Sequence, residues 1–499
     1  MCLAILPFKC SQILFPYLFT RRWFKAKGPK RVSNQNLRNF IPLLPNAITL
    51  IRKIKTAIQQ QLLNSGLLKN RIVKNFVSLG SIQVLNFLFP LFLTPYLVRV
   101  VGINHFGLIS FSQALITYFV TLNDYGFNLS TTREITLNKG NRSKIVQIYC
   151  DTLSTKAFLL GAGFLLFLAL VLLLSKHSET VYFYLLSYSM VVGQSLFSVW
   201  LFQGMEEMKY ISFINALSKV VTLVLILLLV KEQQDYVYVN LLYGCGFIVA
   251  GIASLVVAQR RYHLTFRFSK WANIVFQLKE GWHIFISNFS VTLYIKSNIV
   301  ILGLFASKEI VGFYSIAESV INIVRQVLVV YFQAIYPHIC RLVLQVKADI
   351  RAFIRKVHIP FSLMVLVGCV MVFALSEYIT LFFVGYPQAK VTTVLKVLSI
   401  VPFIVVLNIP ANQLLLALNH KKAYSRILMA GSVLNLLLNL ALSYYFLAIG
   451  TAVSVILTEL FITVGLYVML EKNSPTFTRL FNSTAFGKGT PFSKKEGLR

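Results

Sequence analysis

Apolar residues run through this chain in blocks of about 20, the length that spans ~30 Å of hydrocarbon as a helix. Short polar stretches separate them. The blocks predict twelve membrane spans, at about 75–98, 105–127, 152–174, 180–202, 210–230, 236–258, 282–304, 309–336, 357–383, 391–417, 425–447 and 450–470. A soluble domain breaks its apolar runs every few residues, and this chain does not. The fold class this implies is all-α: a polytopic membrane protein of about twelve helices, which the internal repeat described below divides into two six-helix lobes around a central cavity.

The polar stretches alternate in character. Those after the second, fourth, sixth, eighth and tenth spans hold eighteen Lys and Arg, among them Arg133, Lys139, Arg142, Arg260, Arg261, Arg267, Lys270, Arg341, Lys421 and Arg426. The intervening stretches hold five: Arg99, Lys176, Lys231, Lys308 and Lys390. Cation-rich loops stay in the cytoplasm, so both termini are expected inside, with the protein in the cell inner (plasma) membrane. The loops on the far side are too short for an extracytoplasmic domain.

Composition changes this picture little. The chain has 499 residues, 57% hydrophobic and 14% aromatic, with a formal charge of +32 and a mean hydropathy of +0.71. Such a charge could signal nucleic acid, but its place between spans reads as topology and contact with anionic membrane lipids. No nucleic-acid partner is expected. Cys2, Cys10, Cys150, Cys245, Cys340 and Cys369 show no CxxC and no metal-ligand spacing. No GxxxxGK[ST] loop is present, so ATP hydrolysis is not expected to drive the protein, and no cofactor is implied.

Residues 1–70 carry twelve Lys or Arg and no acid; the first acidic residue of the chain is Asp124. They lack a basic n-region and an A-x-A site, which argues against a cleaved signal peptide. A disordered or interfacial basic arm and a start assigned too far upstream both fit. The expected organisation is this extension, an N-lobe over 71–270, a C-lobe over 271–472 and a basic cytoplasmic tail over 473–499.

The lobes carry a trace of repetition. His105–Gln113 aligns with Ile310–Glu318 at an offset of 205 residues, with Gly107 on Gly312, Ser110 on Ser315 and Gln113 opposite Glu318. The offset equals six spans. Six is even, so the halves would share one orientation, related by an axis along the membrane normal, as in many transporters.

Several charges fall where lipid would penalise them: Lys156, Lys219, Lys296, Arg325 and Lys396, with Asp124, Glu318 and Glu459. Intramembrane charges face a cavity or one another. Lys296 sits mid-span in the polar stripe from Ser290 to Asn298. Arg325 and Glu318 are seven residues apart and share a helix face. A cationic cavity built on Lys296 and Arg325 would suit an anionic, phosphate-bearing substrate. The competing reading is a structural ion pair of Glu318 with Lys296 or Arg325. Glu318, Asp124 and Glu459 are candidates for such pairs or for ion coupling. Lys156, Lys219 and Lys396 read as cations near span ends that snorkel to the surface. Asp124, Arg133 and Glu134 read as a helix-end or gate ion pair.

Four stretches are specific: P-Y-L-V-R-V-V-G (Pro95–Gly102), F-G-L (Phe106–Leu108), D-Y-G-F-N-L-S-T-T-R-E-I (Asp124–Ile135) and W-L-F-Q-G-M-E (Trp200–Glu206). On these, residues 69–472 resemble the O-antigen flippases, the Wzx-type polysaccharide transporters. The resemblance implies a superfamily shared with multidrug antiporters and the lipid II flippase, alternating access between two lobes, and a transporter rather than an enzyme. It also implies a polyprenyl-diphosphate-linked oligosaccharide as substrate, moved to the outer leaflet for polysaccharide (O-antigen, lipopolysaccharide) biosynthesis, with other polysaccharide-assembly proteins as possible partners. Arg99, Asp124, Arg133 and Glu134 fall on the motifs, in a gate or structural role. Lys296 and Arg325 are candidates by position and charge.

The alternatives are a multidrug or cation antiporter of the same superfamily and a membrane polysaccharide polymerase or glycosyltransferase. An antiporter would favour an acidic cavity with an aromatic wall. The enzymes would carry a large outside loop or an acidic motif in the first one, and Arg99–Asn104 has no acid.

Overall fold

The computed structural model describes residues 71–174, 178–344, 350 and 352–473. The basic arm before residue 71 and the tail after residue 473 lie outside the described residues. The helices are α1 (Arg71–Asp124), α2 (Phe127–Leu137), α3 (Arg142–Leu174), α4 (Ser178–Ser187), α5 (Ser189–Leu196), α6 (Val199–Gly204), α7 (Met208–Leu229), α8 (Tyr236–Tyr262), α9 (Trp271–Phe305), α10 (Lys308–Leu344), α11 (Ile359–Ala374), α12 (Ser376–Val384), α13 (Ala389–Leu398), α14 (Val401–Ala417) and α15 (Lys421–Asn473).

Ten stretches are long and apolar enough to cross a membrane, among the described residues. Two of these are double. At 1.5 Å per residue a straight 54-residue α1 would run about 80 Å, far beyond a bilayer. It turns at Gly102, whose φ of 80° suits glycine. Its first arm follows α7, with Tyr96 Oη donating to Val230 O at 2.7 Å. Its second arm follows α8, with the His105 ring stacked 4.0 Å from that of Tyr236. Consecutive α7 and α8 run in opposite directions, so the two arms of α1 do as well.

Helix α15 folds back in the same way at Leu447, where φ is 52°. Asn435 Nδ2 donates to Thr458 Oγ1 at 3.3 Å, although 23 helical residues would separate them by about 35 Å. With each hairpin arm counted separately, the described residues hold twelve such apolar segments, the number the sequence pattern predicts. The fourth predicted span, 180–202, is broken into α4, α5 and α6. The ninth is α11 and α12, entered through a π-helical turn at Ile354–His358 just before Pro360.

The cation-poor turns gather at one end. Gly102 faces the Gln233 side chain, and Gly385 lies against Arg99. Here the aligned glycines meet. A Cβ on Gly107 would fall 1.9 Å from Lys308 O, and one on Gly312 would fall 2.3 Å from Ile103 O. Residues 103 and 308, like 107 and 312, are separated by the repeat offset. Each copy therefore presents the same patch to the other, the mark of a local twofold axis. Close backbone packing through small residues is how membrane helices gain contact without a hydrophobic driving force.

The apolar core of the C-terminal half packs Val406, Leu414 and Leu415 of α14 against Ile462, Leu466 and Leu470 of α15. Near the cation-rich end of the N-terminal half, Trp200 and Leu201 pack with Ile135, Tyr149 and Ala258.

Candidate functional site

The intramembrane charges of the C-terminal half converge. Arg325 of α10 forms an ion pair with Glu459 of α15, Nη2 to Oε1 at 3.4 Å. Tyr294 of α9 donates its hydroxyl to the same Oε1 at 2.9 Å. A small, partly open cleft of about 30 Å³ lies alongside, lined by Tyr294, Asn298, Tyr314, Glu318, Arg325 and Val455 among others. Lys296 and Arg325 are the cationic neighbours of the Glu318 carboxylate. Glu318, Tyr294 and Glu459 lie ten to twelve residues from the cation-poor turns, hence about 15–18 Å in. That is near the middle of ~30 Å of hydrocarbon. Arg325 starts deeper, and its side chain leans back toward the start of α10, as helical side chains do.

The pairing corrects the sequence reading on one point: the direct ion pair of Arg325 falls on Glu459, not on Glu318. The two share a helix face but lie two turns apart, a rise of about 10 Å, whereas the second arm of α15 brings Glu459 against Arg325. Tyr294, Tyr314 and Asn298 were not singled out as site residues. A signal existed, because the repeat copies diverge there: Tyr314 aligns with Ile109, and Glu318 with Gln113. In the N-terminal half Gln113 instead donates to Asn240 Oδ1 at 3.0 Å, and Asn240 donates to Ser187 Oγ at 2.9 Å. One copy holds neutral amides where the other holds charge.

Asp124 and Lys156 form a second charged site in the N-terminal half. Asn128 Nδ2 donates to Asp124 Oδ1 at 2.9 Å, and Lys156 is the cationic neighbour of that carboxylate. Among the described residues Asp124 and Arg133 form no ion pair with each other. The left-handed turn at Tyr125 and Gly126 sends α2 off on a new axis, and Arg133 is exposed beside Glu134. Lys156 does not snorkel either; it is 3% exposed. Lys219 bonds the Asn86 side chain and lies over the Phe89 ring. Lys396 pairs with exposed Glu377 at 3.4 Å, in keeping with a surface role.

At the cation-poor end Arg99 donates to the carbonyl of Phe382, near the C-terminus of α12. A guanidinium there meets unpaired carbonyls and the negative end of the helix dipole. Two of the motif stretches pack together at the other end. Thr132 Oγ1 donates to Trp200 O at 3.2 Å, Thr136 Oγ1 to Gly204 O at 3.3 Å, and a Cβ on Gly204 would fall 2.8 Å from Ile135. The T-R-E-I and W-L-F-Q-G stretches thus form one packed unit, with Trp200 fully buried.

Comparison with known proteins agrees with this architecture. Residues 72–343 match the model of a family described as polysaccharide biosynthesis protein. A relative from Escherichia coli (strain K12), named "Putative O-antigen transporter", is 29% identical over 412 residues, covering 80% of this chain and 97% of its own. A Shigella dysenteriae protein of the same name is 27% identical over 392 residues, covering 78% and 97%. Among solved structures, an inward-facing multidrug resistance MATE family transporter of the MOP superfamily superposes with a TM-score of 0.60 at 11% identity, covering 82% of this chain and 99% of that one. The lipid II flippase MurJ, in an inward closed conformation, gives 0.57 at 10% identity, covering 84% and 94%. At these identities the structural likeness speaks to the fold. The chain is a multi-pass membrane protein, and it belongs to the polysaccharide biosynthesis protein family.

Proposed function

We propose that this protein is a flippase. It moves an oligosaccharide linked to a polyprenyl diphosphate from the cytoplasmic to the outer leaflet of the inner membrane, with both termini cytoplasmic. The names of its relatives and the transporter fold support this reading over a polymerase or glycosyltransferase. The single observation that carries the site assignment is the charged, hydroxyl-rich cleft near the bilayer midplane. Its placement is costly in lipid, so it is retained for a purpose other than stability.

In this reading the lobes are 71–270 and 271–472, and they rock about the axis between Gly107 and Gly312. Arg325 and Lys296 receive the diphosphate, and Arg325 offers a planar fork to phosphate oxygens. Glu459 holds Arg325 in place while the site is empty, with Glu318 balancing Lys296. Glu318, Glu459 and Asp124 are the groups through which an ion gradient would couple. Arg99 latches the outer end, and Arg133 and Glu134 belong to the packed unit at the inner end. The polar head crosses between the lobes while the polyprenyl tail stays in lipid.

The test is loss and rescue of surface polysaccharide. Deletion of the gene should abolish it, with lipid-linked oligosaccharide accumulating on the cytoplasmic side. Wild type should restore it, and Lys296→Ala and Arg325→Ala should not, although present in the membrane. Unchanged surface glycan and unchanged precursor on deletion would refute the flippase reading.

A further inference from the structure

The join between α8 and α9, residues 263–270, is non-helical and is held along α3. Cys150 Sγ donates to Thr265 O at 3.5 Å and accepts from Arg267 N–H at 3.4 Å. Ser269 N–H donates to Ser154 Oγ at 2.9 Å. The Ser269 hydroxyl and Asn273 Nδ2 both donate to Asp151 Oδ1. Arg142 Nη2 donates to His263 O at 3.3 Å. Phe266 and Phe268 make none of these contacts and stay exposed. They are 43% and 82% exposed and form an edge-to-face pair with ring centroids 4.9 Å apart. Trp271 continues the patch, edge-on to Phe158 of α3 at 5.0 Å.

The depth of this strap follows from α3. Counting about 20 residues of hydrocarbon-spanning helix back from Leu174 reaches Thr155. Cys150, Asp151 and Ser154 therefore lie at the boundary between hydrocarbon and headgroups on the cation-rich side. The strap they hold lies there too. Its aromatics adjoin the exposed apolar flank of α3, formed by Phe158, Leu165, Leu166 and Leu172. That flank faces lipid, so the patch continues a lipid surface. Interleaved with the aromatics are exposed Arg267 and Lys270, and Arg260 precedes them. Among the described residues none of these three is in an ion pair. Aromatic rings at the interface with free cations beside them match an anionic headgroup over an acyl chain.

We propose that the strap 263–270 is a lipid anchor, and that its ligand is the anionic phospholipid of the leaflet at the cation-rich end. The strap is the covalent join of the two proposed lobes and is fixed to α3. Bound lipid would hold the start of α9 at interface depth while the rest of the C-terminal half moves. The inference concerns lipid binding and stands whatever the protein transports.

The test uses the full chain with p-benzoylphenylalanine placed at position 268. The protein is reconstituted in vesicles of phosphatidylcholine alone or mixed in equal parts with phosphatidylglycerol, and irradiated. The expected product is a one-phospholipid adduct, enriched in phosphatidylglycerol beyond its share of the mixture. In detergent, Arg267→Gln and Lys270→Gln should each weaken retention of phosphatidylglycerol about fivefold, with phosphatidylcholine retention unchanged. A cross-link to a second copy or to another polypeptide in native membranes would overturn the proposal. So would adducts that merely follow the lipid ratio, or retention unaffected by both substitutions.

Discussion

Replacing Gly107 by Ala tests the contact on which the two-lobe reading turns. The added Cβ would fall 1.9 Å from Lys308 O and 2.6 Å from Gly312 N, both backbone atoms that cannot rotate away. Carbon and carbonyl oxygen settle at about 3.3 Å, so the two backbones must part by about 1.4 Å at this point. Overpacking of this kind costs about 1–3 kcal/mol. If opening the cation-poor end relieves the clash, that cost becomes a shift of about 5- to 150-fold toward the open form. Ser315, one turn from Gly312, is 3% exposed and reports this opening. In a background with the native cysteines replaced, Ser315→Cys should react with an impermeant maleimide from the cation-poor side at least about fivefold faster once Gly107→Ala is added. Gly312→Ala should do the same, because its Cβ meets Ile103 O at 2.3 Å in the mirrored contact. The double variant should fall short of additivity, since both methyls enter one interface. Unchanged labelling with an unchanged melting temperature for both single variants would refute the reciprocal contact.

Three further outcomes can be checked by thermal unfolding in detergent. Arg325→Gln and Glu459→Gln should each cost about 3 kcal/mol by leaving a partner charge unpaired, and the double variant should be more stable than the sum of the two; strict additivity would mean the pair is not formed. Leu447→Gly should raise stability by about 1 kcal/mol, because leucine is strained at φ 52°, ψ −130°; a loss would mean the turn relaxes otherwise. Asp151→Ala should free Ser269 and Asn273 from their shared acceptor, costing about 1–3 kcal/mol, and should expose 263–270 to protease; continued resistance would mean the remaining strap bonds suffice.

The legible part of this protein was the part the bilayer writes in one dimension. Span length follows from hydrocarbon thickness, and orientation from where Lys and Arg can remain. Both survive as local patterns, so the crossings came through even where α1 and α15 each carry two. The divergence of Ile109 from Tyr314, and of Gln113 from Glu318, also lay in the sequence, in the comparison of two segments 205 residues apart.

Partner choice was decided in three dimensions. Arg325 and Glu459 lie 134 residues apart and meet at 3.4 Å. Lys156 is buried beside Asp124, and Thr132 reaches Trp200, only because particular helix faces turn toward each other. In a soluble protein an apolar stripe would announce the inward face. A membrane helix is apolar toward lipid and toward its neighbours alike, so its rotation about its own axis leaves little trace in the sequence. The sequence pattern thus set where the chain is long and apolar enough to cross a membrane. Tertiary packing chose which of its few buried charges share a site.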